Sequence, residues 1–240
     1  MPSRRTVGGL IFTGSNSHSM KSPPPRRLSI EDFRPNSLDE IVGQKPTVAR
    51  LRRILDGVRN GVVVPPHLLF HGPPGVGKTA TARAFAREAL GEMFEVGYTE
   101  LRAYDDRSPQ AMTGLIELSR HHSLGGAPFR IIFIDEAEAL APEAQLILRP
   151  AMEREGGWSV YILSCNELNA LAKAIQSRCT LLEFTPVDAG EIRRALSIAI
   201  PKTPFRFDPE IIESIVKRSN GIPREAMKLL LEEGGAQPPS

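Results

Sequence analysis

The chain has little cysteine: two residues in 240, Cys165 and Cys179. Two thiols cannot form a disulfide framework, and nothing around them has the spacing of a metal-thiolate site. Used singly, as core and loop residues, they suit a reducing compartment. Long apolar runs are missing as well. No segment approaches the roughly 20 residues that cross a bilayer, and residues 7–12 are too short for the apolar core of a secretion signal. An intracellular protein that does not engage membranes is expected, nuclear in a eukaryote and otherwise cytoplasmic. Positive charge is scarce where a protein that grips nucleic acid unaided would need it. The net charge is +2, yet Arg4, Arg5, Lys21, Arg26 and Arg27 all lie in the first 30 residues, without one acid among them. Residues 31–240 therefore carry −3, so the folded part has no broad basic face in bulk. No internal repeat is visible.

With 41% hydrophobic residues, the chain can build one sizeable core and a smaller satellite domain. Residues 1–29, rich in Ser, Pro, Gly and Arg and without periodicity, read as a disordered basic tail; a nucleic-acid arm or a targeting signal is the alternative. From residue 30 the pattern becomes structured. Residues 45–60 carry Val48, Leu51, Ile54, Leu55 and Val58, a helical stripe closed by Gly61. Strands are expected over 67–70, 94–101, 130–134, 160–164 and 181–184, and helices from Ala80, over 108–122 with Ser108 as cap, and over 143–154 with Pro150 disturbing its end. Alternation of strand and helix predicts an α/β fold, a parallel sheet covered on both faces, over residues 30–186. Strands then stop, and three helices over 191–200, 209–219 and 223–232 predict a small all-α lid over residues 187–233. Residues 234–240 read as a flexible end.

Gly72-Pro73-Pro74-Gly75-Val76-Gly77-Lys78-Thr79 matches the phosphate-binding pattern G-x-x-x-x-G-K-[ST] between an expected strand and an expected helix beginning at Ala80. Backbone N–H groups of such a loop wrap the β-phosphate, and the helix N-terminus adds partial positive charge. Lys78 then reaches the β- and γ-phosphates and the Thr79 hydroxyl ligates Mg²⁺, so ATP and Mg²⁺ are the expected ligands. Asp135-Glu136 ends the strand over 130–134 beside this loop in a parallel sheet. One carboxylate there holds Mg²⁺ and a second polarises the attacking water. Glu138, in the same acidic run, reads as solvated. Asn166, just beyond the next strand, is placed to orient the γ-phosphate and water. Arg178, before the last strand, and Arg224, opening the last helix, are guanidinium groups of the kind that stabilise transition-state charge; from composition alone both read equally as surface ion-pair partners.

The loop, the Asp-Glu strand, the strand-end Asn, Gln176-Ser177-Arg178-Cys179 and an Arg opening a lid helix, in this order, resemble the AAA+ ATPases, and among them the small subunits of the replication factor C clamp loader. The resemblance runs from about residue 30 to 233. Phe33-Arg34-Pro35 and Ile41-Val42-Gly43-Gln44 resemble elements that flank the adenine in that family, and Ser164-Cys165-Asn166 its sensor-1 signature. The resemblance implies that Asp135 serves Mg²⁺, Glu136 activates water, Asn166 senses the γ-phosphate and Arg224 acts on the same chain's nucleotide. It implies that Arg178 reaches the nucleotide of a neighbouring AAA+ subunit, and that the partners are such subunits, a sliding clamp and primer–template DNA. Departures bear on the DNA. Where the family reads Leu-Asn-Ala-Ser-Asp-Glu-Arg-Gly, this chain has Leu101-Arg102-Ala103-Tyr104-Asp105-Asp106-Arg107-Ser108, and residues 110–118 contain no Lys or Arg. Arg149 is followed by Pro150 where the family has paired arginines, and the lid motif is Gly221-Ile222-Pro223-Arg224-Glu225 rather than Gly-Asp-Met-Arg-Arg. The family continues after the lid into a helical collar; none is expected in this chain, whether by truncation or by a different assembly. Two other functions stay open: a nucleotide-binding regulatory or scaffold module with little turnover alone, or another AAA+ remodeller such as a branch-migration motor or initiator.

Overall fold

The computed structural model describes residues 28–61, 65–120, 129–153 and 159–235. The expected tail up to residue 27, the end of the helix expected over 108–122, Arg154, and residues 236–240 lie outside the described residues.

One parallel sheet organises the chain: β1 (Leu68–His71), β2 (Tyr98–Arg102), β3 (Arg130–Asp135), β4 (Ser159–Cys165) and β5 (Thr180–Glu183), in the spatial order β2-β3-β4-β1-β5. Interspersed are α1 (Lys45–Arg59), α2 (Lys78–Leu90), the single turn α3 (Phe94–Gly97), α4 (Pro109–Arg120), α5 (Pro142–Met152) and the single turn α6 (Lys173–Gln176). The pleat of β3 explains its unbroken apolar run. Ile131 and Phe133 pack on one face with Leu51, Phe70 and Phe85, while Ile132 and Ile134 pack on the other with Leu69, Tyr161, Met112 and Leu148. A strand buried on both sides has no solvent face to place polar residues on. β4 lies between β1 and β3 in register, with Leu69 opposite Leu163 and Ile134 opposite the same residue from the other side.

After β5 come α7 (Ala189–Ala199), α8 (Pro209–Arg218) and α9 (Pro223–Gly235), which bury Ile192, Leu196, Ile215 and Leu230 together. The Asp188 carboxylate accepts the Glu191 N–H at 2.9 Å and caps α7. Phe33 and Val42, from the segment preceding α1, pack into this same helical core. The lid is thus tied to the sheet domain through the Arg224 N–H, which donates to Gly75 O at 3.2 Å, and through the N-terminal segment.

Three local expectations change. Residues 94–97 are a helical turn rather than strand, because Phe94 stacks on Tyr98 four residues on (centroids 4.8 Å apart) while the Arg87 guanidinium lies 4.1 Å over its ring. Pro150 does not stop α5, which runs on to Met152. A proline deprives only the carbonyl four residues back, that of Leu146, and Leu146 is exposed to water. Finally, α9 continues through Gly234 and Gly235, past its expected end. A Cβ at Gly234 would stand 2.3 Å from the Phe205 ring, so the absent side chain is what lets that ring lie against α9.

Candidate functional site

Because all five strands are parallel, their C-terminal ends open on one edge, and the order β3-β4-β1 sets three loops side by side there. The loop after β1 is shaped by close contact with the lid. Gly75, at φ +80°, would put a Cβ 2.7 Å from Ile222 and 3.2 Å from Arg224, and its carbonyl accepts the Arg224 N–H at 3.2 Å. Gly77, at φ +106°, differs: no atom beyond its own chain neighbours lies within 4 Å of where its Cβ would be. That open side is a cradle which the loop's own atoms leave free.

Lys78 opens α2 and is buried. Its ammonium donates to Gly72 O at 2.6 Å, Pro73 O at 2.9 Å and Asn166 Oδ1 at 2.9 Å, using its three protons. Burial lowers its pKa, against the fields of Asp135 and Glu138. The adjacent Thr79 hydroxyl donates to Asp135 Oδ2 at 2.9 Å. The other Asp135 oxygen accepts a short hydrogen bond from the Ser164 hydroxyl, which in turn accepts the Glu136 N–H at 2.9 Å. Glu136 is held in the left-handed region, at φ 56°. Burial raises its pKa, and the like charges of Asp135 and Glu138 raise it further, partly offset by Arg224 and Lys78. A carboxylate so placed is a better proton acceptor than a solvated one.

A cavity of about 270 Å³ lies over this cluster, between the loop and the lid. Pro74, Gly75, Val76, Gly77, Lys78, Thr79 and Ala80 line it, as do Asp135, Glu136, Asn166 and Arg224. Arg34, Pro35 and Val42 line its far end, with Ile41, Ala199 and Met227 supplying an apolar surface there. Arg34 Nη1 is buried without a hydrogen-bond partner, a donor that a polar ligand in this cavity would satisfy. Backbone cradle, ammonium, apolar end and the unpartnered guanidinium nitrogen of Arg34 together fit a nucleoside triphosphate. The Thr79 hydroxyl and Asp135 carboxylate are hard oxygen donors of the class Mg²⁺ takes. No group of three metal-binding side chains gathers among the described residues, so a cation here would rely on phosphate and water for its remaining ligands.

Three residues expected at this nucleotide lie outside the cavity, as does Arg178, which is expected at a neighbouring subunit's nucleotide. Gly72 and Pro73 do not line the cavity but hold Lys78 through their carbonyls. Gly43 donates its N–H to Glu191 at 2.9 Å and packs against Val187, which makes it part of the lid joint. Arg178 is held within its own chain: its guanidinium bonds Ala174 O and makes a short ion pair with Glu153, which also meets Arg149 at 3.3 Å. Two residues gain roles the sequence did not suggest. Glu138 is not solvated; its Oε1 accepts the Asn166 N–H at 2.8 Å and its Oε2 is buried. Ser164 joins Asp135 to Glu136. Met227, one turn after Arg224 on α9, was legible as a lid residue on the same face, whereas nothing local marks Ala199.

Residues 68–187 match the family model of the "ATPase family associated with various cellular activities (AAA)". The replication factor C small subunit of Archaeoglobus fulgidus is 39% identical over 202 residues, 84% of this chain and 62% of that protein. Its counterpart from Methanothermobacter thermautotrophicus is 38% identical over 84% of this chain and 61% of its own length. A solved structure of a RuvB variant from Thermotoga maritima superposes with a TM-score of 0.71 at 25% identity, covering 84% of this chain and 64% of that one. The chain spans about three-fifths of the length of the curated relatives it resembles.

Proposed function

Since the chain belongs to the AAA family of ATPases, we propose that it is an ATP-binding and ATP-hydrolysing subunit of a clamp-loader-like complex, which loads a sliding clamp onto primed DNA during replication. The similarity to replication factor C small subunits, extending over 84% of the chain, supports this. The observation that carries the chemistry is a pair of hydrogen-bonded sets, Asn166–Lys78 and Thr79–Asp135–Ser164–Glu136, side by side beneath one cavity.

In this proposal the base occupies the end lined by Ile41, Val42 and Met227, and the triphosphate lies along the loop. Lys78 exchanges the carbonyls of Gly72 and Pro73 for phosphate oxygens. Thr79 and Asp135 would hold Mg²⁺, which when bound neutralises charge on the β- and γ-phosphate oxygens. Glu136 takes the proton of the attacking water, and Asn166 orients the γ-phosphate from the tip of β4. Arg224 reaches the same nucleotide from the lid, so nucleotide occupancy and lid position are coupled. Arg178 serves a neighbouring subunit's nucleotide, which makes turnover depend on assembly.

Steady-state hydrolysis, measured with and without clamp and primed DNA, tests the proposal. Lys78→Ala is expected to abolish nucleotide binding or hydrolysis, and wild-type turnover in that variant would overturn the site. One observation favours a second reading, a nucleotide-binding scaffold with little turnover alone: Arg178 is already paired with Glu153 of its own chain. No stimulation by any combination of clamp and DNA would favour that alternative.

A further inference from the structure

Ser164 is fully buried at the end of β4, between Leu163 and Cys165, in a strand otherwise given over to apolar packing. Register sets it one rung beyond the Ile134–Leu163 pair, level with Asp135. A buried strand hydroxyl ordinarily returns its proton to a nearby backbone carbonyl. This one donates to the Asp135 carboxylate and accepts the Glu136 N–H at 2.9 Å. Its donation occupies Asp135 Oδ1 and leaves Oδ2 turned to the Thr79 hydroxyl, 2.9 Å away. Its acceptance pins the backbone of Glu136, a non-glycine residue at φ 56° and ψ 47° that a β-carbon disfavours. One oxygen atom thus sets the rotation of the carboxylate that faces Thr79 and the direction in which the next side chain leaves the strand.

We propose that Ser164 is a positioning residue for the hydrolytic site, holding Asp135 in the orientation that receives the cation and Glu136 in the one that meets water. This rests on the ATPase reading of the cavity. Without the hydroxyl, Asp135 is free to turn about its last bond and the Glu136 N–H is buried unpaired. Removing an outer partner of a metal-holding carboxylate typically costs about 10- to 100-fold in metal affinity or activity. The loss should appear in the cation-dependent part of nucleotide binding and in turnover, and not in binding of the nucleotide alone.

The test uses the full chain and a fluorescent ATP analogue, titrated in EDTA and across a Mg²⁺ series, with turnover measured alongside. Ser164→Cys keeps the volume but replaces the hydroxyl by a weak donor; Ser164→Thr keeps the hydroxyl. Ser164→Cys is expected to bind the analogue in EDTA within about twofold of wild type, to need at least about tenfold more Mg²⁺ for half-effect, and to unfold at a similar temperature. Ser164→Thr is expected to recover most of the Mg²⁺ response. A Mg²⁺ midpoint in Ser164→Cys equal to wild type would overturn the positioning role, as would an equal loss of affinity in EDTA. Failure of the wild-type chain to bind the analogue at all would instead remove the ATPase reading, and the inference with it.

Discussion

Two regions of this chain hold the groups expected to act on phosphate, and they are built in opposite ways. At the ends of β1, β3 and β4, Lys78, Thr79, Asp135, Ser164 and Asn166 satisfy one another across three strands, so the site is assembled by the sheet itself. At the turn between α6 and β5, Arg178 is paired through its two terminal nitrogens with Ala174 O and Glu153, away from that cavity, while its Nε is buried without a partner. The first arrangement is preorganised: a ligand meets donors already aimed, and only Lys78 must change partners. The second is held in reserve. To reach any other anion, Arg178 must first give up Glu153, an exchange a more highly charged phosphate would favour and a lone chain does not offer.

The contrast breaks most visibly at Arg178. Arg178→Ala is expected to leave the nucleotide affinity of the isolated chain unchanged, yet to lower assembly-stimulated turnover by about 10³-fold or more, the range for a guanidinium supplied in trans. Unaltered stimulation in the variant complex would remove the trans role. Glu136→Gln probes the other region. It is expected to bind ATP as wild type does and to hydrolyse it about a hundredfold more slowly, in line with loss of a proton acceptor. An equal loss of affinity would show that Glu136 acts in binding instead.

A third ionic cluster sharpens the distinction, because it should affect only stability. Glu100 on β2 pairs with Arg83 of α2 at 2.7 and 2.8 Å and accepts the Tyr98 hydroxyl at 2.8 Å, stitching the helix that carries Lys78 to the sheet edge. Burial pushes the Glu100 pKa up, but the Arg83 and Tyr98 hydrogen bonds, with the charges of Arg83 and Arg34, together hold it below its ordinary value of 4.5. A folded-state pKa below the unfolded one contributes stability that is present above the unfolded value and lost as pH falls through the folded one. Glu100→Gln is therefore expected to cost about 1 to 2 kcal/mol near neutral pH, low in the range for charged hydrogen bonds because solvent reaches the pair. Thermal unfolding should show the gap from wild type closing as pH drops below 4.5. A gap independent of pH would mean that packing, not charge, is lost.

The sequence by itself determined whatever depends on near neighbours along the chain. The glycine loop, the apolar run ending in Asp135-Glu136 and the stripe of α1 are all written within about a dozen residues, because backbone torsion, pleat and helical period are local properties. Tertiary structure decided what depends on which strands lie side by side. Glu138 reads as one more acid in a run until β4 brings the Asn166 N–H against it, and Ser164 reads as a strand residue until register sets it level with Asp135. The turn over Phe94–Gly97 was hidden for a related reason: the Phe94 ring packs on Tyr98 of β2 and beneath Arg87 of α2, contacts that close the segment into helix. The apolar end of the cavity draws on Ile41 from before the sheet and on Ala199 and Met227 from after it, and no pattern in sequence records that they meet. Hydrogen bonds and packing across strands depend on position in space, and sequence spacing carries that information only where the chain has not yet turned.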